Sequence, residues 1–297
     1  MQIIFEGLLW GAAALIVFYS FYVLFFYLLQ RRMLFPVHEL PTHDASLIKN
    51  AGGELIRLPF SQGEFDIAHL PPLNEVYGNS QPVIMLAHGN GNIIDDWAPR
   101  MDYMRNLGFA VVLAEYPGYG RSTGKPTYQS IKETMLKAYT WIEQQPQLDS
   151  EQISLMGRSM GGGAVLSVLS DKKPHAVILM STYSSIVDLA KQRWVPHFLV
   201  RDPFDNVSAL SGFEGLAYLV HGETDKTVPI SALSKLLAAK QDAEHRIYTT
   251  GHADTPDDWD EFWSEVAMLL SPKSNYPSDS AYSSENVESP ELNQADS

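Results

Sequence analysis

The chain has 297 residues, a length typical of one large domain or two small ones. It carries 35 Asp and Glu against 21 Lys and Arg, a net charge of −14, which argues against a nucleic-acid partner because phosphate backbones are bound by clustered basic residues. Apolar residues make up 45% of the chain, enough for a full core, and the lack of cysteine excludes disulfides, thiolate catalysis and cysteine-ligated metals.

The N-terminal segment is predicted to anchor the chain in a membrane. Residues 8–29 read LLWGAAALIVFYSFYVLFFYLL and contain no charge. As a helix this stretch would be roughly 33 Å long, enough to cross a hydrocarbon core of about 30 Å. A cleaved signal peptide would have a basic start, a shorter apolar run and small residues at its cleavage site. A buried core helix is disfavoured by apolar residues on every face, so we expect an uncleaved anchor at 1–32 with its helix at about 8–29.

The charges that flank this helix predict its orientation. Arg31 and Arg32 follow the apolar stretch, whereas Glu6 and the amino terminus precede it. Basic residues favour the cytosolic side of a membrane. We therefore expect a single-pass protein in which the domain that follows the helix lies in the cytosol.

The C-terminal residues 272–297 are predicted to be a disordered acidic tail. They are rich in Ser, Pro, Asn and Glu and contain few aliphatic side chains. Such a segment cannot bury enough apolar surface to offset the entropy lost on ordering.

Residues 33–271 are predicted to form one domain in which strands alternate with helices. The predicted strands are 54–60, 65–70, 82–87, 109–114, 153–157, 176–180, 216–220 and 245–249, and the clearest helices are 130–145, 231–240 and one that begins near residue 257. Most strands are continuously apolar, as strands covered on both faces are. This alternation indicates an α/β fold with a mostly parallel sheet, which binds ligands beyond the carboxyl ends of its strands.

A candidate nucleophile follows the strand at 153–157. Residues 157–161 read GRSMG, which is G-x-S-x-G placed between a buried strand and a helix, where a tight turn lifts Ser159 above the sheet. A haloalkane dehalogenase would have aspartate at this position. Because a serine hydroxyl is a weak nucleophile at its ordinary pKa, a base and an orienting carboxylate must accompany it.

The base and the acid are expected after Ser159 in chain order. Among the nine histidines, His252 alone lies in a turn directly after the last predicted strand and before the final helix. Asp225 occupies the turn after the strand at 216–220 and is the predicted acid. Glu223 is the alternative acid on the same turn, and three other carboxylates precede that strand: Asp188, Asp202 and Asp205.

The oxyanion of a tetrahedral intermediate needs preorganised N–H donors. One donor is expected to be the amide of Met160, the residue after the nucleophile. The second is expected from the loop HGNGN at 88–92, which follows the strand at 82–87, with the amide of Asn90 as the predicted donor.

A small lid is predicted at about 186–215, between the strands at 176–180 and 216–220. Its aromatic residues Trp194 and Phe198 are assigned to an acyl pocket, and packing of the lid onto the body is the alternative. A small lid on an anchored enzyme favours a lipid-like or acylated substrate that arrives by diffusing in the bilayer.

Four motifs resemble those of the α/β-hydrolase (abhydrolase) superfamily over about residues 54–270. They are HGNGN at 88–92, EYPGYGRSTG at 115–124, GRSMGG at 157–162 and HGETDKTVP at 221–229. The chain is most similar to the small-lid, membrane-anchored branch that includes protein depalmitoylases. Those mammalian enzymes are usually held at membranes by lipidated cysteines, which this chain does not have, so their substrate class is not carried over.

The resemblance implies the α/β-hydrolase fold, with helices on both faces of the sheet, and a role for each candidate residue. Ser159 is the implied nucleophile, Asp225 the acid and His252 the base, and the amides of Asn90 and Met160 are the implied oxyanion donors.

The sequence therefore predicts a membrane-anchored serine hydrolase that cleaves an ester or thioester through an acyl-enzyme. This mechanism needs no metal and no organic cofactor, and the expected partners are an acylated small molecule or lipid and the membrane. An acyltransferase or a peptidase could use the same triad, although no gating domain for a peptidase is evident. A noncatalytic binding protein could share the fold. The natural substrate, the acyl chain length and the oligomeric state are left open.

Overall fold

The computed structural model describes residues 2–40, 45–76 and 80–270. Its strands are β1 (Glu54–Phe60), β2 (Gly63–Leu70), β3 (Gln81–Ala87), β4 (Ala110–Ala114), β5 (Leu148–Arg158), β6 (Ala176–Met180), β7 (Leu216–Gly222) and β8 (Glu244–Tyr248). Its α-helices are α1 (Gln2–Leu34), α2 (Ser46–Asn50), α3 (Asp102–Asn106), α4 (Tyr128–Glu143), α5 (Met160–Leu166), α6 (Ile186–Gln192), α7 (Asn206–Ser211), α8 (Ser231–Ala239) and α9 (Trp259–Leu270). The predicted tail at 272–297 lies outside the described residues.

These strands form one sheet in the order β1-β2-β4-β3-β5-β6-β7-β8. The pairs β1–β2 and β2–β4 are antiparallel, and all other neighbours are parallel. The prediction of a mostly parallel sheet is confirmed. The carboxyl ends of β3, β5, β6, β7 and β8 consequently meet at one edge of the sheet.

Two hydrophobic cores cover opposite faces of this sheet. In β3, Met85 joins one core together with residues of α4 and α5, whereas Ile84 and Leu86 join the other core together with residues of α3 and α9. Successive side chains of a strand point to opposite faces, so a strand covered by helices on both sides must be apolar throughout. This explains the continuously apolar runs in the sequence.

Strand β5 begins earlier than predicted, at Leu148 rather than at Ile153. After the buried Leu148, residues 149–152 are polar and none of them is buried, because only Leu148 pairs with Gln81 of β3 before the register shifts. A polar strand end of this kind has no hydrophobic pattern and is invisible to an analysis of periodicity.

Helix α1 runs from Gln2 to Leu34 and is longer at both ends than the predicted 8–29. None of its residues is buried, which rules out a core helix, and its length and composition would allow it to cross a membrane. The helix stops just before Phe35, which precedes Pro36, because the residue before a proline disfavours the helical conformation.

The segment between β6 and β7 that was predicted as a lid contains α6, a 3₁₀ turn at His197–Leu199, and α7. We refer to residues 186–215 as the lid. Its helices are short, and the stretch that joins α6 to α7 is irregular for most of its length.

Candidate active site

Ser159 occupies a strained turn between β5 and α5. Its backbone has φ = 51° and ψ = −112°, a positive φ that non-glycine residues rarely adopt. The N–H of Ser159 donates to the carbonyl of Met180 at 2.7 Å, and its own carbonyl accepts from the N–H of Gly162 at 3.1 Å. These bonds hold the tight strand-to-helix turn that the G-x-S-x-G motif predicts.

The glycines of the motif are required by close approach of the backbone. A Cβ atom at Gly161 would overlap the carbonyl oxygen of Ala87 in β3. A Cβ atom at Gly157 would overlap the backbone of Gly161. The small residues on either side of Ser159 therefore let β3, β5 and α5 come together beneath the serine.

Ser159, His252 and Asp225 form a continuous chain of hydrogen bonds. Ser159 Oγ lies 3.0 Å from His252 Nε2, and His252 Nδ1 lies 2.6 Å from Asp225 Oδ2. With Nδ1–H donating to the carboxylate, Nε2 is left to accept the proton of the serine hydroxyl. The structure thus brings together the three residues that the sequence analysis selected, which follow β5, β8 and β7 respectively.

The carboxylate of Asp225 is buried and surrounded by donors. Asp225 Oδ1 accepts the backbone N–H groups of Thr227 and Val228, each at 2.8 Å. Burial alone would raise the pKa of Asp225, but the hydrogen bonds from His252 and Val228 outweigh it and hold the pKa below its ordinary value. Asp225 is therefore ionised at neutral pH, as an orienting acid must be.

The competing carboxylates are engaged elsewhere. Glu223 lies exposed on the same turn as Asp225. Asp188 pairs with the ammonium of Lys235 at 2.7 Å, and Asp205 caps α7 through the N–H of Ser208. Asp202 accepts two bonds from the guanidinium of Arg31.

His221 lies behind Asp225 and was not selected from the sequence. Its Nε2 donates to the carbonyl of Val228 at 2.9 Å and lies 3.6 Å from Asp225 Oδ2. Burial lowers the pKa of His221, so its ring is neutral at pH 7. The ring fixes the turn that presents the Asp225 carboxylate to His252.

The guanidinium of Arg158 supports the loop that carries His252. Its Nη2 donates to the backbone carbonyls of His252 and Ala253. Arg158 occupies a variable position of the G-x-S-x-G motif, so no sequence signal could have identified this contact.

A buried network holds the loop at 88–92. His88 Nε2 lies 2.6 Å from Glu115 Oε1, and both side chains are fully buried. The hydroxyl of Tyr116 donates to the carbonyl of His88 at 2.5 Å, and the N–H groups of Tyr116 and Ile94 donate to the Glu115 carboxylate. The loop residue Asn90 and the elbow residue Met160 both face the pocket in front of Ser159.

This pocket has a volume of about 280 Å³ and a mostly apolar lining. Ser159 and His252 line it together with Asn90, Met160, Tyr183 and the turn at 227–228, and the other lining residues come from α1 and from the lid. Within residues 2–40, 45–76 and 80–270, no group of three or more His, Asp and Glu side chains is arranged to hold a metal ion. The contact between Ser159 Oγ and His252 Nε2 places a hydroxyl and a potential base beside this apolar cavity.

The assignment of Trp194 and Phe198 to the pocket is wrong. Their side chains are 82% and 75% exposed, and neither lines the cavity. The chain turns sharply at Trp194, where φ is 56°, so that the next residue, Val195, faces the cavity instead. Because the lid is irregular here, the sequence does not reveal which side of the segment faces the body.

Comparison with known proteins finds a matching family model and several similar proteins. A family model described as "alpha/beta hydrolase fold" matches residues 82–202. An uncharacterised protein of Mycobacterium tuberculosis is 22% identical over 232 residues, which cover 77% of this chain and 82% of that protein. The lysophosphatidylserine lipase ABHD12 of Danio rerio is 28% identical over 186 residues, which cover 54% of this chain and 47% of the lipase. The matched region is thus about half the length of that lipase.

A solved structure resembles the whole body of the chain. A thermophilic esterase of Thermogutta terrifontis superposes with a TM-score of 0.62 and covers 81% of this chain and 100% of its own. The sequence identity is 15%, so this likeness shows the fold alone. It agrees with the sheet described above.

Proposed function

We propose that this chain, which belongs to the α/β-hydrolase superfamily, is a membrane-anchored serine hydrolase that cleaves an ester or thioester through an acyl-enzyme. Esterase and lipase relatives support hydrolase activity for this fold. The observation that carries the finer proposal is the chain of hydrogen bonds from Ser159 through His252 to Asp225, which ends in a buried and ionised carboxylate.

In the first step, Ser159 Oγ attacks the carbonyl carbon of the substrate while His252 Nε2 takes the hydroxyl proton. The Asp225 carboxylate keeps the imidazole in the required tautomer and stabilises the imidazolium that forms. A positioned general base of this kind contributes typically about 10²–10⁴-fold to the rate.

The attack converts the carbonyl oxygen into an oxyanion, which the backbone N–H groups of Asn90 and Met160 are proposed to bind. Both residues line the pocket next to Ser159. Loss of one such donor costs roughly 10²–10³-fold in kcat. The buried pair of His88 and Glu115 acts indirectly, because it holds the loop in which Asn90 lies.

In the second step, the tetrahedral intermediate collapses and His252 gives its proton to the leaving alcohol or thiol. The acyl group remains on Ser159. Water then attacks the acyl-enzyme, with His252 as the base again, and the free acid is released. Every proton in this cycle passes through His252 Nε2, and the mechanism uses no metal or organic cofactor.

The pocket favours an acylated, lipid-like substrate. Its lining is mostly apolar, which suits a hydrocarbon chain, and one relative is a lysophosphatidylserine lipase. An apolar helix of the length of α1 suits attachment to the membrane in which such a substrate is dissolved.

The catalytic body is proposed to lie on the cytosolic side of the membrane. Arg31 and Arg32 occupy the last turn of α1, whereas Glu6 lies near its start. A tag at the C-terminus should be digested by protease added to intact spheroplasts or sealed cells only after permeabilisation. Digestion before permeabilisation would show the opposite orientation, with the C-terminus outside the cytosol.

The activity is tested by fluorophosphonate labelling of the detergent-solubilised full chain beside Ser159→Ala. We expect the wild type to be labelled and the variant to be unlabelled. Product analysis then separates hydrolysis, which releases free acid, from transfer of the acyl group to an added alcohol. A folded wild type that is not labelled would overturn the proposal in favour of a noncatalytic binding protein.

A further inference from the structure

One wall of the pocket in front of Ser159 belongs to helix α1. The helix residues that line the cavity are Phe26, Gln30, Met33 and Leu34. Spacings of three and four residues place them on one face of the helix. A helix that only anchored the chain in a membrane would not need to line the pocket in front of Ser159.

Two side chains of α1 attach this wall to the lid. Arg31 Nε and Nη2 donate to the two carboxylate oxygens of Asp202 at 2.7 and 3.1 Å, and the Asp202 side chain is almost fully buried. Gln30 Nε2 donates to the carbonyl of Leu199 at 3.0 Å, while its Oε1 accepts the N–H of Arg201 at 2.8 Å. Bidentate pairing fixes both distance and orientation, so the lid and the helix are held together as one unit.

The end of α1 is also joined to the loop that is proposed to bind the oxyanion. Asn90 Nδ2 donates to the carbonyl of Leu34 at 3.2 Å. The next residue, Phe35, is buried, and its ring lies 6.5 Å from that of Phe204 in the lid. The wall formed by α1 is therefore fixed relative to Ser159.

The contacts between α1 and the lid continue into the apolar part of the helix. The hydroxyl of Tyr22 donates to the carbonyl of Arg193 at 2.6 Å, and that of Tyr19 donates to the carbonyl of Trp194 at 2.8 Å. Tyr19 lies about 22 Å before Leu34 along the helix axis. The lid thus lies beside the segment that would be in the membrane, and the side chain of Trp194 is exposed there.

We propose that α1 is part of the substrate site: the acyl chain binds between α1 and the lid, and Phe26 and Met33 determine which chain lengths are accepted. The substrate class is a long-chain acyl ester or thioester that enters laterally from the bilayer. This inference rests on the proposed function, because it assumes that Ser159 is the nucleophile. It gives the exposed Trp194 and Phe198 a location at the lipid surface rather than in the pocket.

The expected effect follows from the apolar contact that each methylene makes. Each methylene of the acyl chain that is buried in the pocket strengthens substrate binding about fourfold. A side chain that blocks several methylenes should therefore lower kcat/KM by a factor that grows with the length of the acyl chain. Met33→Trp fills the cavity and should penalise long acyl chains. Phe26→Ala opens the wall and should shift the preference toward longer chains.

The experiment uses the full chain in detergent micelles and p-nitrophenyl esters from acetyl to palmitoyl. Met33→Trp should lower kcat/KM for the longest ester at least tenfold more than it lowers kcat/KM for the acetyl ester. Phe21→Ala is the matched control, because Phe21 loses the same side chain from the same helix but is 67% exposed and does not line the pocket. Its chain-length profile should equal that of the wild type.

The outcomes separate this inference from the proposed function. A wild type that neither reacts with fluorophosphonate nor cleaves any ester contradicts the proposed function itself. An active wild type whose chain-length profile is the same in Phe26→Ala, Met33→Trp and Phe21→Ala overturns the role of α1. Equal losses on all esters, the acetyl ester included, also overturn it, since a wall residue acts through chain length. Met33→Leu nearly preserves the side-chain volume, so its chain-length profile should resemble that of the wild type.

Discussion

Arg158 Nη2 lies 3.0 Å from the backbone carbonyl oxygen of His252, so the residue that precedes the proposed nucleophile also holds the loop of the proposed base. A second bond, of 2.6 Å, joins the same nitrogen to the carbonyl of Ala253. Burial, and then the charge of Arg100, lower the pKa of Arg158, but an arginine stays charged at neutral pH even so. The distance from Ser159 to His252 thus depends on a neighbour that has no part in the chemistry.

Replacing Arg158 with methionine should lower kcat about tenfold to a hundredfold and leave KM for a short ester nearly unchanged. The side chain keeps most of its apolar volume but loses both bonds to the His252 loop, and small displacements of a catalytic group are costly. Arg158→Lys, which can still donate to one carbonyl, should recover part of the loss. Steady-state kinetics on the acetyl ester measure this, and a wild-type kcat in Arg158→Met would exclude a positioning role.

Asp225→Asn should reduce kcat by about 10⁴-fold, the loss known for this change in Ser-His-Asp triads, because the amide no longer favours the tautomer with a proton on His252 Nδ1. Glu223→Gln is the control on the same turn. Glu223 is exposed, so this variant should keep wild-type activity. If the Glu223 variant were the inactive one, the acid would have been assigned to the wrong carboxylate.

Gly161→Ala should destabilise the protein by about 1–3 kcal/mol and abolish labelling by fluorophosphonate, because the new methyl group would displace the carbonyl of Ala87 or the turn at Ser159. Gly212→Ala is the matched control, since a Cβ atom there meets nothing within 4 Å. Thermal unfolding and labelling of the two variants in the same detergent provide the test. Equal stability of the two would contradict the close approach of β3 to α5.

Two pairs of histidine and glutamate are expected to differ in how much free energy of unfolding is lost when the glutamate is replaced. Glu115 and His88 are completely buried, and removing one partner of such a pair costs about 3–5 kcal/mol, so Glu115→Ala should strongly destabilise the fold. The Glu54 carboxylate, 3.4 Å from His69, is mostly exposed, so Glu54→Ala should cost at most about 1 kcal/mol. Denaturant unfolding of the two variants measures the difference, and similar losses would refute it.

The stability of the protein should fall as the pH drops from about 7 to 5. Burial lowers the pKa of His69, His175 and His221. A histidine in the unfolded chain gains its proton at about pH 6.5, whereas these three are expected to be still neutral in the folded chain at that pH. The unfolded state then binds more protons, so acid favours unfolding across this window. The lowered pKa of Asp225 adds a further loss of stability only below about pH 4.

Melting temperatures at pH 7.5 and 5.5 provide the measurement. His221→Gln should reduce the difference between them, because it removes one of the three groups. A melting temperature that is the same at both pH values would show that these histidines titrate normally in the folded state.

The sequence predicts the sheet and the positions of the site residues well, because each signal is local. Ser159, Asp225 and His252 each follow an apolar run, and in a parallel sheet the ends of such runs meet at one edge. Their catalytic roles stay predictions until the variants are measured. The orientation of Trp194 was not predictable, because the lid has no regular period there that would separate inside from outside.

The role of α1 in the pocket was hidden for a different physical reason. A face that contacts lipid and a face that contacts an acyl chain are both apolar, so a helix that does both has no amphipathic pattern. Phe26 and Phe21 are equivalent in the sequence and differ only in what lies opposite them. Arg158 was hidden because the motif leaves its position unspecified.

Helix α1 is unbroken from Gln2 to Leu34, roughly 50 Å, and its last turn is joined to the lid through Arg31 and Asp202. A spanning helix that exceeds the hydrocarbon thickness of its membrane tilts to fit. Because the Arg31–Asp202 pair joins α1 to the lid, a change in the tilt of a spanning α1 would turn the attached domain through the same angle. If α1 spans a bilayer, the thickness of that bilayer would therefore set the direction in which the pocket opens relative to the membrane plane.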